Sequence, residues 1–80
     1  MTQGVTVRYF AGARAAAGVA QESLPASTLG ELRDLLAVRP ALTRVVAAAS
    51  FLVDGVSVRD PAYRLGVGAT VDVLPPFAGG

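Results

Sequence analysis

Thr28-Leu29-Gly30-Glu31-Leu32-Arg33-Asp34-Leu35-Leu36 is the stretch on which the fold of this chain turns. A threonine followed three residues later by a glutamate is the pattern of a capping box. The hydroxyl accepts from a backbone N–H of the first turn, and the carboxylate reaches back toward the helix start. Leu29, Leu32, Leu35 and Leu36 then recur at helical spacing, which predicts an amphipathic helix running to about Val38. Pro40 either ends it or opens the next turn. Leu42, Val45, Val46 and Ala49 continue at helical spacing, so a second short helix is expected over residues 41–49.

Strand signals lie on both sides of this helical middle. Val5-Thr6-Val7-Arg8-Tyr9-Phe10 alternates with period two and is rich in β-branched and aromatic residues. Residues 11–18, alanine-rich and bounded by glycine, read as a loop with one helical turn. Residues 19–24 read as a second short strand, stopped by Pro25. Phe51-Leu52-Val53-Asp54-Gly55-Val56-Ser57-Val58 reads as a hairpin, because Asp-Gly supplies the positive φ of a type I′ turn. Asp60-Pro61 and the Gly66, Gly68 pair mark turns. Thr70-Val71-Asp72-Val73-Leu74 is the last strand, and Pro75-Pro76 cannot continue its ladder. The order predicts an α+β fold, with a sheet wrapped around one main helix and the first and last strands together at its centre. The expected organisation is a single domain over residues 1–80, with residues 75–80 as an exposed tail.

Composition narrows the chemistry. Of 80 residues 52% are hydrophobic and 16% charged, a globular rather than a disordered balance. There is no Cys, His or Trp. That excludes cysteine–histidine zinc sites, thiol nucleophiles, disulfide frameworks and Ser-His-Asp triads. The acids Glu22, Glu31, Asp34, Asp54, Asp60 and Asp72 are dispersed over strand, cap, helix face and turns, so no metal site is expected. All seven basic residues are arginines, scattered among these acids, and the net charge is +1. No basic stripe suited to nucleic acid is visible. No apolar run approaches the roughly 18 residues of a membrane span, and no signal peptide is read, so the cytoplasm is the default location. Gly66 and Gly68 are expected to form a turn rather than part of a phosphate loop, since a strand follows them.

Alternation sorts the first and last strands into faces. Val5, Val7 and Tyr9 share one face of the first strand with Val71 and Val73 of the last, suited to burial. The opposite face carries Arg8 and Asp72, which suit water, and Phe10 and Leu74, which do not. Two readings stay open for the apolar pair, a contact surface or strand ends tucked under a loop. Two also stay open for Arg8, steering a partner or pairing with Asp72 across strands.

The chain ends Pro75-Pro76-Phe77-Ala78-Gly79-Gly80. Six residues reach at most about 20 Å. Two prolines stiffen the base, and two glycines make a tip thin enough for a narrow channel. The terminal carboxylate is the addressable group. It becomes electrophilic if it attacks the α-phosphate of ATP to form an acyl adenylate, and a sulfur donor would then leave a thiocarboxylate on Gly80. The bland reading, a frayed end, is disfavoured by the proline stem that follows the strand directly.

On these residues the chain resembles the ubiquitin-like sulfur carriers of the β-grasp fold, the MoaD/ThiS-like family, and within it the small subunits of molybdopterin synthase. The resemblance runs from the opening strand into Phe10-Ala11, through Arg14 and Gly18, Thr28-Leu29 with Leu32-Arg33, and Val53-Asp54-Gly55. It closes with Leu65-Gly66-Val67-Gly68-Ala69-Thr70-Val71 and the Pro-Pro-x-x-Gly-Gly ending. Gly68-Ala69 stands where the family usually has Gly-Asp. The resemblance implies that Gly80 is adenylated by a ubiquitin-activating-type adenylyltransferase using ATP and magnesium. A sulfurtransferase system would then supply sulfur to it. It implies that the tail, Pro75, Pro76, Phe77, Ala78 and Gly79, inserts into the synthase large subunit. Sulfur would pass there to cyclic pyranopterin monophosphate, with the catalytic groups on the large subunit and no cofactor bound by this chain. Phe10, Leu65 and Leu74 match partner-contacting residues, with Arg8 beside them. The alternatives are a sulfur carrier for thiazole, tRNA thiolation or cysteine synthesis, a protein modifier forming isopeptide bonds through Gly80, and a plain binding module.

Overall fold

Along residues 4–76, which the computed structural model describes, the chain runs β1 (Val5–Tyr9), α1 (Ala11–Ala17), β2 (Gln21–Leu24), α2 (Leu29–Ala37), α3 (Pro40–Ala48), β3 (Ser50–Val53), β4 (Val56–Val58) and β5 (Thr70–Leu74). α2 begins as the sequence predicts. Thr28 is extended, and its Oγ1 accepts from the Glu31 N–H at 3.1 Å. The returning bond differs from the box pattern: Glu31 Oε1 accepts from the N–H of Ser27, one residue early, at 2.8 Å. Two other N–H groups at the helix start would otherwise lack partners. The loop after β4 meets both, with the Leu29 N–H donating to the Tyr63 carbonyl (3.0 Å) and the Gly30 N–H to that of Pro61 (2.8 Å). Gly30 permits this approach, because a Cβ there would lie 3.0 Å from the Pro61 oxygen.

Leu29, Leu32 and Leu36 are fully buried, whereas Leu35 is turned outward and 38% exposed. A helix stripe is too narrow to bury both Leu35 and Leu36, which lie about 100° apart. Arg33 is half-buried with its guanidinium carbon 5.8 Å from the centre of the Phe51 ring. α3 forms one residue earlier than predicted, with Pro40 in its first turn, and buries Leu42 and Val46.

Residues 11–17 correct the reading as a loop with one turn: they form α1. Alanine has the highest helix propensity. The Phe10 carbonyl accepts from Ala13 (3.0 Å) and Arg14 (3.4 Å), Ala13 is fully buried, and Gly18 closes the helix at φ 80°.

The five strands lie in the order β2-β1-β5-β3-β4. β1 and β5 run parallel at the centre, with Thr6, Val7, Arg8 and Tyr9 opposite Thr70, Val71, Asp72 and Val73. The other pairs are antiparallel. The β3–β4 hairpin turns at Asp54 (φ 48°) and Gly55 (φ 86°), as a type I′ turn requires. Asp54 also ties the hairpin to the start of β5, its N–H donating to the Thr70 carbonyl and its Oδ1 accepting from the Thr70 N–H. Val5, Val7, Tyr9, Phe51, Val53, Val71 and Val73 form one core with the α2 leucines. This is the β-grasp arrangement, a mixed sheet closed around a helix.

Two substitutions test this account in denaturant unfolding. Thr28→Ala is expected to cost about 1 kcal/mol through the lost cap. Leu32→Ala is expected to cost about 2–5 kcal/mol through the cavity it leaves.

Candidate functional site

β5 is a central strand, so the chain leaves the sheet from the middle of one end, through Pro75 (half-buried) and Pro76 (exposed). The surroundings of this exit are set by register. Ser50 pairs with Leu74, and Leu52 with Asp72, on one side of β5; Arg8 pairs with Asp72 on the other. Paired residues share a face, so the outer face next to the exit carries Arg8, Asp72, Leu74 and Leu52, with Phe10 just past the end of β1. The Phe10 N–H donates to the Val73 carbonyl at 3.3 Å, which holds this residue beside the end of β5.

The pairing of Arg8 with Asp72, left open by the sequence, is present. Nε donates to Oδ1 at 2.6 Å and Nη2 to Oδ2 at 2.9 Å, a two-point contact that fixes the guanidinium plane. The Asp72 carboxylate, through its hydrogen bonds and charge, raises the pKa of the Arg8 guanidinium further. Asp72 is 8% exposed although it lies on the outer face. The Arg8 guanidinium carbon is also 5.6 Å from the centre of the Phe10 ring, within range of a cation–π contact. Phe10 is 39% exposed and Leu74 half-buried, so both offer apolar surface beside the exit. Leu65 does not. It is 7% exposed and belongs to the core, its N–H bound to the Ser27 carbonyl. In the free chain it is a packing residue. Leu52 was missed, although the alternation of Ser50-Phe51-Leu52-Val53 carries the signal that it faces away from Phe51 and Val53.

A second group of side chains braces this end from within. Glu22, which the sequence showed only as one of several dispersed acids, lies opposite Val7 on the inner side of the sheet. Its Oε2 accepts from the Tyr9 hydroxyl and from Arg39 Nη1 (2.5 Å), while Arg39 Nη2 donates to the Ala17 carbonyl at 3.3 Å. One carboxylate thus joins β1, β2 and the start of α3, and Arg39 adds the end of α1. Partial burial opposes ionisation of Glu22, but the hydrogen bonds from Tyr9 and Arg39 and the charge of Arg39 outweigh it, holding its carboxyl below the usual range. Burial, with the hydrogen bond to Glu22, pushes the Tyr9 hydroxyl well above the usual phenol range. No spacing rule joins positions 9, 22 and 39, so sequence reasoning could not find this cluster.

The arrangement supplies an apolar and charged surface around a chain exit. Among the described residues no group of three or more His, Cys, Asp or Glu is placed to hold a metal ion, and no helix is long and apolar enough to cross a membrane. Phe77, Ala78, Gly79 and Gly80, expected to carry the chemistry, lie outside the described residues.

Comparison with known proteins supplies the family. A model of the ThiS family matches residues 7–80. Among solved structures, small archaeal modifier protein 1 (SAMP1) from Methanosarcina acetivorans has a TM-score of 0.83 at 24% identity, with 100% of this chain and 99% of that chain covered. SAMP1 from Haloferax volcanii has a TM-score of 0.81 at 22% identity, with 96% and 99% covered. A chain in the complex of subunits 1 and 2 of molybdopterin-converting factor from Helicobacter pylori has a TM-score of 0.78 at 23% identity, again with 96% and 99% covered. No curated protein matches the sequence significantly. At these identities the structures establish the fold.

The Glu22 cluster gives a pH-dependent prediction. A carboxylate whose folded pKa lies below its unfolded value of about 4.5 stabilises the fold above that value. The contribution is lost as pH falls through the lower, folded pKa. Glu22→Gln is therefore expected to cost roughly 1 kcal/mol at pH 7. Its unfolding curve should converge with that of the wild type in acid, below pH 4.5, as urea denaturation across a pH series would show.

Proposed function

The chain belongs to the ThiS family, and from that premise we propose that it is a sulfur carrier whose C-terminal Gly80 is activated and thiocarboxylated. The observation that carries this reading is the Pro75-Pro76 root leaving the central strand beside the Phe10 and Leu74 surface, ahead of the Gly79-Gly80 ending. A rigid sheet fixes the origin of the tail, two prolines direct it, and small residues keep its tip narrow. The carboxylate of Gly80 attacks the α-phosphate of ATP, pyrophosphate leaves, and an acyl adenylate forms. The outer sulfur of a donor persulfide attacks the carbonyl carbon and AMP leaves with the electron pair; a second thiol then cleaves the resulting acyl disulfide, forming a disulfide with the donor and releasing the thiocarboxylate. After the sulfur passes to the acceptor, water supplies the oxygen that regenerates the carboxylate. ATP and magnesium belong to the activating enzyme in this scheme, and sulfur to a sulfurtransferase system.

We further propose that the acceptor is cyclic pyranopterin monophosphate, with this chain as the small subunit of molybdopterin synthase. Two observations support that destination: the paired prolines, and a fold shared with a chain in a two-subunit molybdopterin-converting factor complex. The outer face then docks on a large subunit, and the tail enters its active site. A second reading, attachment to other proteins through Gly80, is supported by the likeness to proteins named as small archaeal modifiers.

Two measurements test the proposal. Incubation with a ubiquitin-activating-type adenylyltransferase, Mg-ATP and a sulfur donor should add about 16 Da to the intact chain, as one oxygen is replaced by sulfur. Deletion of Gly79-Gly80 should abolish the gain, and no gain on the intact chain where a known carrier gains it would defeat the reading. In titration against a synthase large subunit, Phe10→Asp or Leu74→Asp should each weaken binding by at least about 1 kcal/mol, because a charge is forced into an apolar contact. Unchanged affinity in both would remove the docking face.

A further inference from the structure

Of the seven arginines, Arg8 and Arg39 are paired with Asp72 and Glu22. Two of the others meet at one place. Arg33 of α2 and Arg59, just past β4, line a single cleft of about 470 Å³ between α2, the end of α3 and the β3–β4 hairpin. Ser50 and Ser57, both exposed, complete its polar lining. Among the described residues no acidic side chain lines the cleft, and neither arginine has an acidic partner. Arg33 is half-buried, its guanidinium held over the Phe51 ring.

Like charges drawn into one cleft repel each other, and a half-buried guanidinium gives up part of its hydration. An oxyanion between them offsets both costs, and paired guanidinium N–H groups match its geometry. The end of α3 decides which oxyanion. Its last carbonyls carry about half a negative charge. Two positive charges outweigh that, so an anion is still attracted, but a phosphate dianion is opposed more than a carboxylate. The backbone N–H groups at the start of α2 are not free to favour phosphate either. Those of Leu29 and Gly30 are taken by the Tyr63 and Pro61 carbonyls, and that of Glu31 by Thr28.

Position in the sheet identifies the source of the carboxylate. Ser50 pairs with Leu74 at the exit, and Phe51 pairs with Val58. Arg59, next after Val58, therefore leaves β4 beside Ser50. Leu74, Ser50 and Arg59 form a row across the sheet, with about 5 Å between neighbours. The cleft is thus continuous with the apolar surface of Leu74 and Leu52. We propose that it receives a glutamate or aspartate side chain of the protein that docks on that surface. The row sets the spacing: about 10 Å from Arg59 to Leu74 is spanned by about three extended residues. The acid then stands about three positions from the apolar residue that meets Leu74. The choice of a protein ligand rests on the docking face proposed above; the cleft itself needs no chemistry at Gly80.

NMR of the isotopically labelled full chain tests this. The probe is a capped peptide with a pair of glutamates and a pair of leucines separated by Ser-Gly, and its counterpart carries glutamine for glutamate. The glutamate peptide should shift the Nε–H signals of Arg33 and Arg59 and the amides of Ser50 and Leu74. Arg44, exposed on α3 outside the cleft, should be little affected. The glutamine peptide should bind at least about threefold more weakly, as should the glutamate peptide to a variant combining Arg33→Gln and Arg59→Gln. Arg59→Gln alone, at an exposed position, should weaken binding without disturbing the fold, and Arg44→Gln should leave it unchanged. Equal binding of the two peptides, equal shifts at all exposed arginines, or unchanged affinity in Arg59→Gln and the double variant would overturn the proposal. So would tighter binding of inorganic phosphate at the same arginines, or no binding of either peptide. The experiment uses neither a large subunit nor a sulfur donor. A large subunit indifferent to Phe10→Asp and Leu74→Asp would remove the docking proposal and leave the peptide result standing, so the two readings fail separately.

Discussion

The parallel pairing of β1 with β5 is the constraint on which the rest of the molecule depends. It joins residues 64 positions apart, as between Arg8 and Asp72. The chain between them must close a long loop before any of these contacts can form, and that closure costs entropy. Burial on the inner side offsets it, where Val5, Val7 and Tyr9 meet Val71 and Val73 over the leucines of α2. Parallel strands are normally covered on both faces. Here the outer side is closed by the Arg8–Asp72 contact rather than by a further layer of helices, and Asp72 becomes nearly buried on a solvent-facing surface.

From that pairing follows where the chain leaves the sheet. Because β5 is central, the tail leaves from the middle of a braced edge rather than from a fraying margin. The bracing comes from both directions. Phe10 is bonded to Val73, and the Glu22 carboxylate gathers Tyr9 and Arg39 behind it. In the proposed carrier role the work is divided: the sheet supplies orientation and a face for docking, and Gly80 supplies one reactive carbon. No deep cavity is required of an 80-residue chain whose core is limited by its size.

The strands and α2 were legible because each carries a local signal that its tertiary setting does not oppose. Alternation in Val5-Thr6-Val7-Arg8-Tyr9 coincides with burial in a two-sided sheet, Thr28 caps the helix it precedes, and Asp54-Gly55 makes the turn its φ preferences favour. Residues 11–17 were underread because alanine has helix propensity but no hydrophobic pattern of its own. Only the core around Ala13 stabilises so short a segment. Leu65 was marked by resemblance as a partner contact; in the free chain the bond from its N–H to the Ser27 carbonyl holds it beside α2, in the core.

The sequence by itself determined the types of the elements other than α1, the buried faces of β1 and β5, the proline–glycine ending and the absence of Cys, His and Lys. These follow from covalent structure and from interactions between residues close in the chain. Only the tertiary structure decided the strand order, the Arg8–Asp72 contact, the gathering of Tyr9, Glu22 and Arg39, and which apolar residues stay exposed beside the exit. Those depend on partners brought together by closing long loops. No local periodicity records which distant segments will meet, because that choice is made by the burial of the whole core at once.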